Sequence, residues 1–267
     1  AVVIENPMIE QEDRMRTTIL PGLLRSVARN IAHRAEGVAL FELAHVYEPI
    51  GGQQLPAEPL HLVCVCTGTL HAKGWRAAQQ GWDFFALKGV LDALGDALGL
   101  GEPLRYVPAE GMPFHPTRAA EISFGGNAIG VIGELHPDVC DAFDVPEGTV
   151  GAEIAVDLLL ERTRGRVPIG DLPRFPSTKI DVAVVVPDDV PADDVSSVIK
   201  EVGAPEVIAA RLFDIYHGEQ VPAGHKSLAY ALELRVADRT LTDAEAISVR
   251  DRIVAALHER HGGELRS

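Results

Sequence analysis

The chain has 267 residues, enough for one large domain or two of ordinary size. Hydrophobic residues make up 46% of it, which allows a sizeable core and excludes a wholly disordered protein. The formal net charge is -15 and both halves of the sequence are acidic, so any nucleic-acid contact has to be local and cannot rest on a general positive field.

The cysteines argue against an extracellular disulfide scaffold. Cys64 and Cys66 alternate with valines in an apolar run, which predicts a buried strand with reduced thiols and a reducing compartment. Neither these two residues nor Cys140 has neighbours at zinc-ligand spacing, so we predict no metal site. No apolar run reaches membrane-spanning length and no signal peptide is recognisable. The first residue is Ala1 rather than Met, and we expect a piece of a longer protein.

Residues 1–165 are predicted to form a mixed α+β domain. Apolar residues at helical spacing predict helices over about residues 18–31 and 84–98, with one helical turn at 138–143. Alternating or continuous apolar runs predict strands at 1–4, 38–47, 61–69, 104–107, 119–124, 128–133 and 150–159. Most connections are too short for parallel crossovers, so we expect a largely antiparallel sheet.

A domain boundary is expected within residues 162–173. This segment contains three arginines, two glycines and two prolines without any periodicity. Arg164 and Arg166 could contact phosphate, although a solvated linker explains them as well. The second predicted domain comprises residues 174–267.

The second domain follows the order strand, helix, strand, strand, helix, strand. Apolar residues at every second position predict strands at 179–186 and 263–266 and a hairpin within 211–236. The first helix begins at Pro191, and the second begins at a capping box that Thr242 forms with Glu245. Both helices must cover one face of this four-stranded sheet, which leaves the other face open.

The open face is predicted to carry small residues beside one aromatic ring. By alternation it exposes Ala183, Asp214, Tyr216, Ser227, Ala229, Ala231 and Arg266. A flat floor of this kind would let a nucleobase stack on Tyr216. From the residues alone, the alternative is that Tyr216 only packs beneath the loop of the hairpin. Sheets of this type also serve amino acids and partner proteins.

Several motifs resemble one family. In the second half they are Arg174-Phe-Pro-Ser, Leu212-Phe-Asp-Ile-Tyr, Gly224-His-Lys-Ser-Leu-Ala-Tyr and Arg239-Thr-Leu-Thr-Asp-Ala-Glu. They are similar to the ferredoxin-fold anticodon-binding domain of the bacterial phenylalanyl-tRNA synthetase β subunit. The first half is similar to the class II synthetase-like module of that subunit, in Asn6-Pro-Met, Met15-Arg-Thr-Thr-Ile-Leu-Pro-Gly-Leu-Leu, Val38-Ala-Leu-Phe-Glu-Leu, Asp83-Phe-Phe-Ala-Leu-Lys-Gly and Gly133-Glu-Leu-His-Pro. The motifs cover nearly the whole chain in the right order.

The resemblance implies a C-terminal fragment of a phenylalanine–tRNA ligase β subunit. Its fold would be α+β, with a truncated class II synthetase-like antiparallel sheet domain followed by a βαββαβ ferredoxin-like domain. It would scaffold the catalytic α subunit in a cytoplasmic heterotetramer and bind the anticodon stem-loop of phenylalanine tRNA. The α subunit would use ATP and magnesium, while no cofactor is expected on this chain. Neither a membrane nor DNA is expected as a partner.

Catalysis by this chain alone is not expected. Class II synthetases place arginines on the ATP phosphates, where negative charge builds up in the transition state. The corresponding segments here, 40–42 and 130–136, contain no arginine. They contain Glu42 and Glu134, which would repel a triphosphate.

The resemblance also implies an RNA-binding set, namely Arg174, Lys179, Ala183, Tyr216, Lys226, Ser227 and Arg266. Tyr216 would stack on a base and Ser227 would read base edges. The cationic side chains would contact phosphates, which fix the register of the RNA but carry no sequence information. The first domain would be structural, with the helix at 23–31 and the apolar strands as the interface to the α subunit.

Two other functions remain open at this point. An amino-acid-binding regulatory module would need a glycine-rich loop after the first strand of the second domain, where the sequence has Pro187-Asp-Asp-Val. A free-standing ligase related to class II synthetases would need the missing arginines.

Overall fold

A computed structural model describes residues 1–8, 13–163, 174–218 and 220–266. The chain divides into two compact units, Ala1–Pro168 (unit 1) and Ile169–Ser267 (unit 2). The expected linker at 162–173, with Arg164 and Arg166, lies almost wholly outside the described residues. In the described ranges, no helix is both long and apolar enough to cross a membrane.

Unit 1 is a seven-stranded antiparallel sheet with helices on both faces. Its helices are α1 (Leu20–Ala32), α2 (Phe84–Leu98), α3 (Pro137–Phe143) and α4 (Asp157–Arg162). Its strands are β1 (Gly37–His45), β2 (Leu60–His71), β3 (Gln80–Gly81), β4 (Arg105–Pro108), β5 (Phe114–Phe124), β6 (Asn127–Leu135) and β7 (Val150–Ala155). The strand order is β1-β2-β7-β6-β5-β4, and β3 pairs with β2. The expected antiparallel sheet is confirmed, whereas β3 was not predicted and the strand predicted at 150–159 ends at Ala155, before α4.

The helix α1 contributes its apolar stripe to the core of unit 1. Leu23, Leu24 and Val27 are buried in one cluster with residues of β2 and α3. On the opposite face of the sheet, α2 packs against a second cluster. The sheet of unit 1 therefore covers the apolar stripe of α1, and the expected interface of helix 23–31 and the apolar strands with the α subunit stays a prediction.

The three cysteines are buried and free, as the apolar pattern predicted for Cys64 and Cys66. Burial raises the pKa of Cys64 to about 11. Burial, together with the nearby Cys64, raises the pKa of Cys66 to about 12. Both thiols therefore stay protonated and poorly nucleophilic at neutral pH.

Unit 2 has the predicted βαββαβ order. Its elements are β8 (Thr178–Pro187), α5 (Ala192–Gly203), β9 (Val207–Tyr216), β10 (His225–Leu234), α6 (Asp243–His261) and β11 (Glu264–Leu265). The sheet order is β11-β8-β10-β9, and every pair is antiparallel. The ferredoxin-like fold is confirmed.

Both helices of unit 2 pack on the same face of its sheet. They share one core with alternate residues of β8 and β10, such as Val184 and Leu228. The fully buried Tyr230 donates a hydrogen bond from its hydroxyl to the carbonyl oxygen of Ala192, at the start of α5, over 2.7 Å. No described helix packs on the opposite face, which confirms the predicted one-sided arrangement.

A β-bulge changes the alternation in β9. Asp214 lies opposite Ala229, and Leu212 lies opposite the next residue, Tyr230. Phe213 is therefore the extra residue between them. Each side chain of β9 before Phe213 points to the opposite face of the sheet from the one that strict alternation predicts.

The apolar side chains at the end of β9 are not buried as the alternating pattern predicted. Phe213 and Ile215 are each 50% exposed. β9 is an edge strand of the sheet, so it has a neighbouring strand on one side only.

The capping box predicted at the start of α6 is confirmed. The Thr242 hydroxyl accepts a hydrogen bond from the backbone N–H of Glu245, and the Glu245 carboxylate accepts one from the backbone N–H of Thr242. Hydrogen bonds from Arg239 and then from Thr242 lower the pKa of Glu245 to about 2. A folded-state pKa below the ordinary value means that this interaction stabilises the fold above about pH 4.5 and is lost as the pH falls through about 2.

Replacing Thr242 by alanine should loosen α6. Loss of an N-cap hydrogen bond costs about 1 kcal/mol, which corresponds to roughly fivefold faster exchange of the α6 amides at neutral pH. Hydrogen-exchange mass spectrometry of the whole chain measures this change. Thr240→Ala, two residues before the cap, is the matched control and should leave exchange unchanged. Equal protection of α6 in wild type and Thr242→Ala would contradict the assignment of the cap.

Candidate nucleic-acid interface

The open face of unit 2 is a grid of cross-strand rows. Residues directly opposite each other in antiparallel strands share a face. The rows run Val185–Ser227–Tyr216, Ala183–Ala229–Asp214, Asp181–Ala231–Arg211 and Lys179–Glu233–Ala209. We call Ala183, Ala229 and Ala231 the alanine floor. Tyr216 and the charged residues form its rim.

Tyr216 lies on this open face, and one side of its ring is already stacked. The guanidinium carbon of Arg266 lies 4.7 Å from the ring centre, a cation–π contact. Arg266 also donates from Nη2 to the Oε1 atom of Gln220 over 2.6 Å. The backbone N–H of Arg266 donates to the carbonyl oxygen of Ala183 over 2.8 Å, which fixes the end of the chain beside the alanine floor.

The ring of Tyr216 also packs closely on the hairpin loop. A Cβ atom at Gly218 would lie 2.7 Å from the ring atom Cζ, so residue 218 has to lack a side chain for the ring to lie there. The alternative interpretation, in which Tyr216 packs beneath the loop, therefore holds for the side of the ring that contacts Gly218. The phenol ring is held in place at the edge of the alanine floor.

The position of Ser227 differs from the expectation. Its register puts it on the open face, but it is only 2% exposed. Its cross-strand neighbours there are the larger side chains Val185 and Tyr216. The hydroxyl of Ser227 does not project from the surface, so this structure does not present it to a base edge.

Lys226 lies on the other side of the sheet. Its cross-strand partner is Val186, whose side chain belongs to the core. Its ammonium group donates to the carbonyl oxygen of Asp188 over 2.7 Å. The structure therefore separates Lys226 from the open face, because adjacent strand residues point to opposite sides.

The remaining predicted cations, Lys179 and Arg174, are exposed. Lys179 lies opposite Glu233 on the open face. A hydrogen bond from Ser177 lowers the pKa of Glu233, and the charge of Lys179 contributes in the same direction. Lys179 therefore has a carboxylate beside it at one end of the open face.

Arg211 was not predicted as a site residue. It is exposed and lies opposite Ala231, so its side chain belongs to the open face. Strict alternation from Tyr216 would have put Arg211 on the helix side. The bulge at Phe213 reverses the faces, and no glycine or proline in that stretch signals a bulge.

Glu42 and Glu134, which lie in the segments 40–42 and 130–136, are each paired with an arginine. Arg16 donates from Nη1 to the Oε1 atom of Glu42 over 2.9 Å. Arg118 donates from Nη1 to both carboxylate oxygens of Glu134, over 2.8 and 2.9 Å. Within the described residues no cluster of His, Cys, Asp and Glu is arranged to hold a metal ion.

Two family models match the chain. The phenylalanyl tRNA synthetase beta chain CLM domain matches residues 1–156, and the ferredoxin-fold anticodon binding domain matches residues 173–266. The second match contains the whole sheet that carries the alanine floor.

Curated relatives agree over the whole chain, and each is a phenylalanine–tRNA ligase beta subunit. The protein of Symbiobacterium thermophilum is 41% identical over 100% of this chain and 30% of its own length. Those of Geobacillus kaustophilus and Moorella thermoacetica are 40% and 42% identical over 97% and 99% of this chain, and 32% and 33% of their own lengths. The chain thus spans about a third of the length of these relatives.

A solved structure, that of pyrrolysyl-tRNA synthetase from Desulfitobacterium hafniense, gives a more distant match. It is 16% identical, covers 54% of this chain and 48% of its own, and has a TM-score of 0.41. Such a value is too low to assign a fold.

Proposed function

The chain belongs to the phenylalanyl-tRNA synthetase β chain family, and on that premise we propose that it holds the anticodon arm of phenylalanine tRNA within a phenylalanine–tRNA ligase. The chain spans about a third of its relatives' length, so aminoacylation would be an activity of the whole enzyme. The observation that carries the proposal is the open β-sheet face, with a floor of three alanines and a fixed tyrosine at its rim.

The alanine floor suits an unpaired base from a loop. Small side chains let the flat base approach the sheet, and Tyr216 offers a ring at its edge. One ring face stacks with Arg266, so the incoming base would either use the other ring face or displace the guanidinium group. A displaced Arg266 would be free to contact the RNA backbone, because among the described residues its side chain is otherwise held by one hydrogen bond to Gln220.

Phosphate contacts would come from cations around the floor. Arg211 and Arg266 lie at the rim, and Lys179 and Arg174 lie towards the far end of β8. Acidic residues such as Asp181 lie among them, so the face has no large excess of positive charge. We therefore expect weak RNA binding by this chain alone and tighter binding by the complete enzyme.

Unit 1 would support the catalytic α subunit. Phe41 and Leu43 are 74% and 54% exposed on β1, an edge strand of the sheet. Two exposed apolar side chains on an unpaired edge form a surface that a partner would cover. We assign this edge, in place of the buried stripe of α1, as the contact with the α subunit.

The chemistry would belong to the α subunit. There, ATP and magnesium would activate phenylalanine, while the arginines near Glu42 and Glu134 of this chain are engaged with those carboxylates. The assembled enzyme would be a heterotetramer of the cytoplasm. Buried, reduced thiols suit that reducing compartment.

Tyr216→Ala should weaken binding of the phenylalanine tRNA anticodon stem-loop by the complete ligase. Loss of one stacked base costs about 1–3 kcal/mol, which is roughly a 5- to 150-fold rise in Kd. Filter binding measures the change. Ile215→Ala is the matched control, because Ile215 lies opposite the core residue Leu228 and points away from the floor. Equal effects of the two substitutions would remove Tyr216 from the site.

Arg211→Ala should lower the salt dependence of the same binding reaction. A lost phosphate contact reduces the slope of log K against log salt concentration by roughly 0.7–0.9. Titrations at several potassium chloride concentrations give the slope. Arg250→Ala, on α6 at the other side of the sheet, should leave it unchanged. An unaltered slope in Arg211→Ala would show that Arg211 does not contact a phosphate.

A further inference from the structure

Unit 1 contains a cavity of about 530 Å³. Volumes of roughly 300–1,000 Å³ are typical of sites for small molecules. The cavity lies on the face of the sheet that α1 and α3 cover. Most of its wall is apolar and includes Leu20, Leu24, Phe114, Ile129, Val139 and Phe143.

The polar side chains of the cavity wall converge on one carboxylate. Glu153 of β7 accepts a hydrogen bond from the Thr18 hydroxyl on Oε2, over 2.5 Å. Its Oε1 atom lies 2.9 Å from Nδ1 of His61. The side chains of His61 and Glu153 are only 16% and 19% exposed. A carboxylate oxygen accepts up to two hydrogen bonds, so each oxygen keeps one acceptor position.

Stability does not explain a carboxylate at this place. Glu153 lies in a strand at the centre of the sheet, between the apolar cross-strand partners Val63 and Val131. Replacing a buried charged side chain and its partner by apolar residues is commonly neutral or stabilising. Thr18 also accepts a hydrogen bond from the backbone N–H of Leu20, and so joins the start of α1 to β7. A neutral amide could accept the Thr18 hydrogen bond equally well, so the link between α1 and β7 does not require the negative charge.

We propose that this cavity binds a small apolar primary amine, whose ammonium group pairs with Glu153. The two free acceptor positions of the carboxylate suit an N–H donor, and the charge-assisted hydrogen bonds would form in a largely apolar surrounding. The apolar wall would contact an aromatic or aliphatic body. Among the described residues no Lys or Arg lines the cavity, so the carboxylate of a free amino acid would meet no permanent cation there and would lie near the carboxylate of Glu153.

The test compares three ligands of similar shape on the whole chain. Isothermal titration with phenethylamine should show saturable binding. Phenethyl alcohol, which lacks the charge, and phenylalanine, which adds a carboxylate, should each bind about tenfold more weakly or worse. No saturable binding of the amine would overturn the proposal, and so would equal affinity for the amine and the alcohol.

Two variants locate the binding. Glu153→Gln should lower the affinity for phenethylamine at least about tenfold and leave that for phenethyl alcohol unchanged. Val139→Phe should abolish binding of both by filling the cavity, whereas Val90→Phe, on the exposed side of α2, should have no effect. Unchanged amine affinity in either cavity variant would overturn the proposal. If Glu153→Gln does not fold, the pair of valine variants still decides the outcome.

Discussion

The arrangement of unit 2 depends on one constraint, the burial of both helices against a single face of the sheet. Alternate residues of β8 and β10 supply a continuous apolar surface, and α5 and α6 cover it together. Hydrophobic burial of this kind is the main favourable term in folding, so it decides where the helices lie. The other face is thereby left without a cover among the described residues. Its side chains are free to serve recognition, and the three alanines keep that face flat.

Much of this fold could be predicted from local patterns. Period-two alternation predicted the strands of unit 2. The apolar stripe of α2 predicted the first and last residues of that helix, because helical spacing persists over fifteen residues. The capping box gave the start of α6, since its two partners are three residues apart. The predicted assignment of faces was wrong in the first part of β9. The bulge at Phe213 reverses the faces there, and nothing in the order of polar and apolar residues marks its position. Arg211 was missed for that reason, and the exposure of Ile215 follows from its edge position.

The candidate sites depend more on contacts between distant residues. Ser227 occupies the predicted face, yet its larger neighbours bury it, and alternation alone cannot report the size of cross-strand partners. The stacking of Arg266 on Tyr216 joins residues fifty positions apart. The hydrogen bonds that Thr18 and His61 make with Glu153 span 135 and 92 residues. Such pairs leave no local signature, so only the three-dimensional structure assembles them.

Methyl NMR of alanine-labelled enzyme can show whether RNA lies on the alanine floor. On addition of the anticodon stem-loop of phenylalanine tRNA, the methyl signals of Ala183, Ala229 and Ala231 should shift or broaden. Those of Ala244 and Ala255, exposed on α6 at the other side of the sheet, should not change. Shifts confined to the α6 methyl groups, with the floor unaffected, would show that RNA does not bind to the alanine floor.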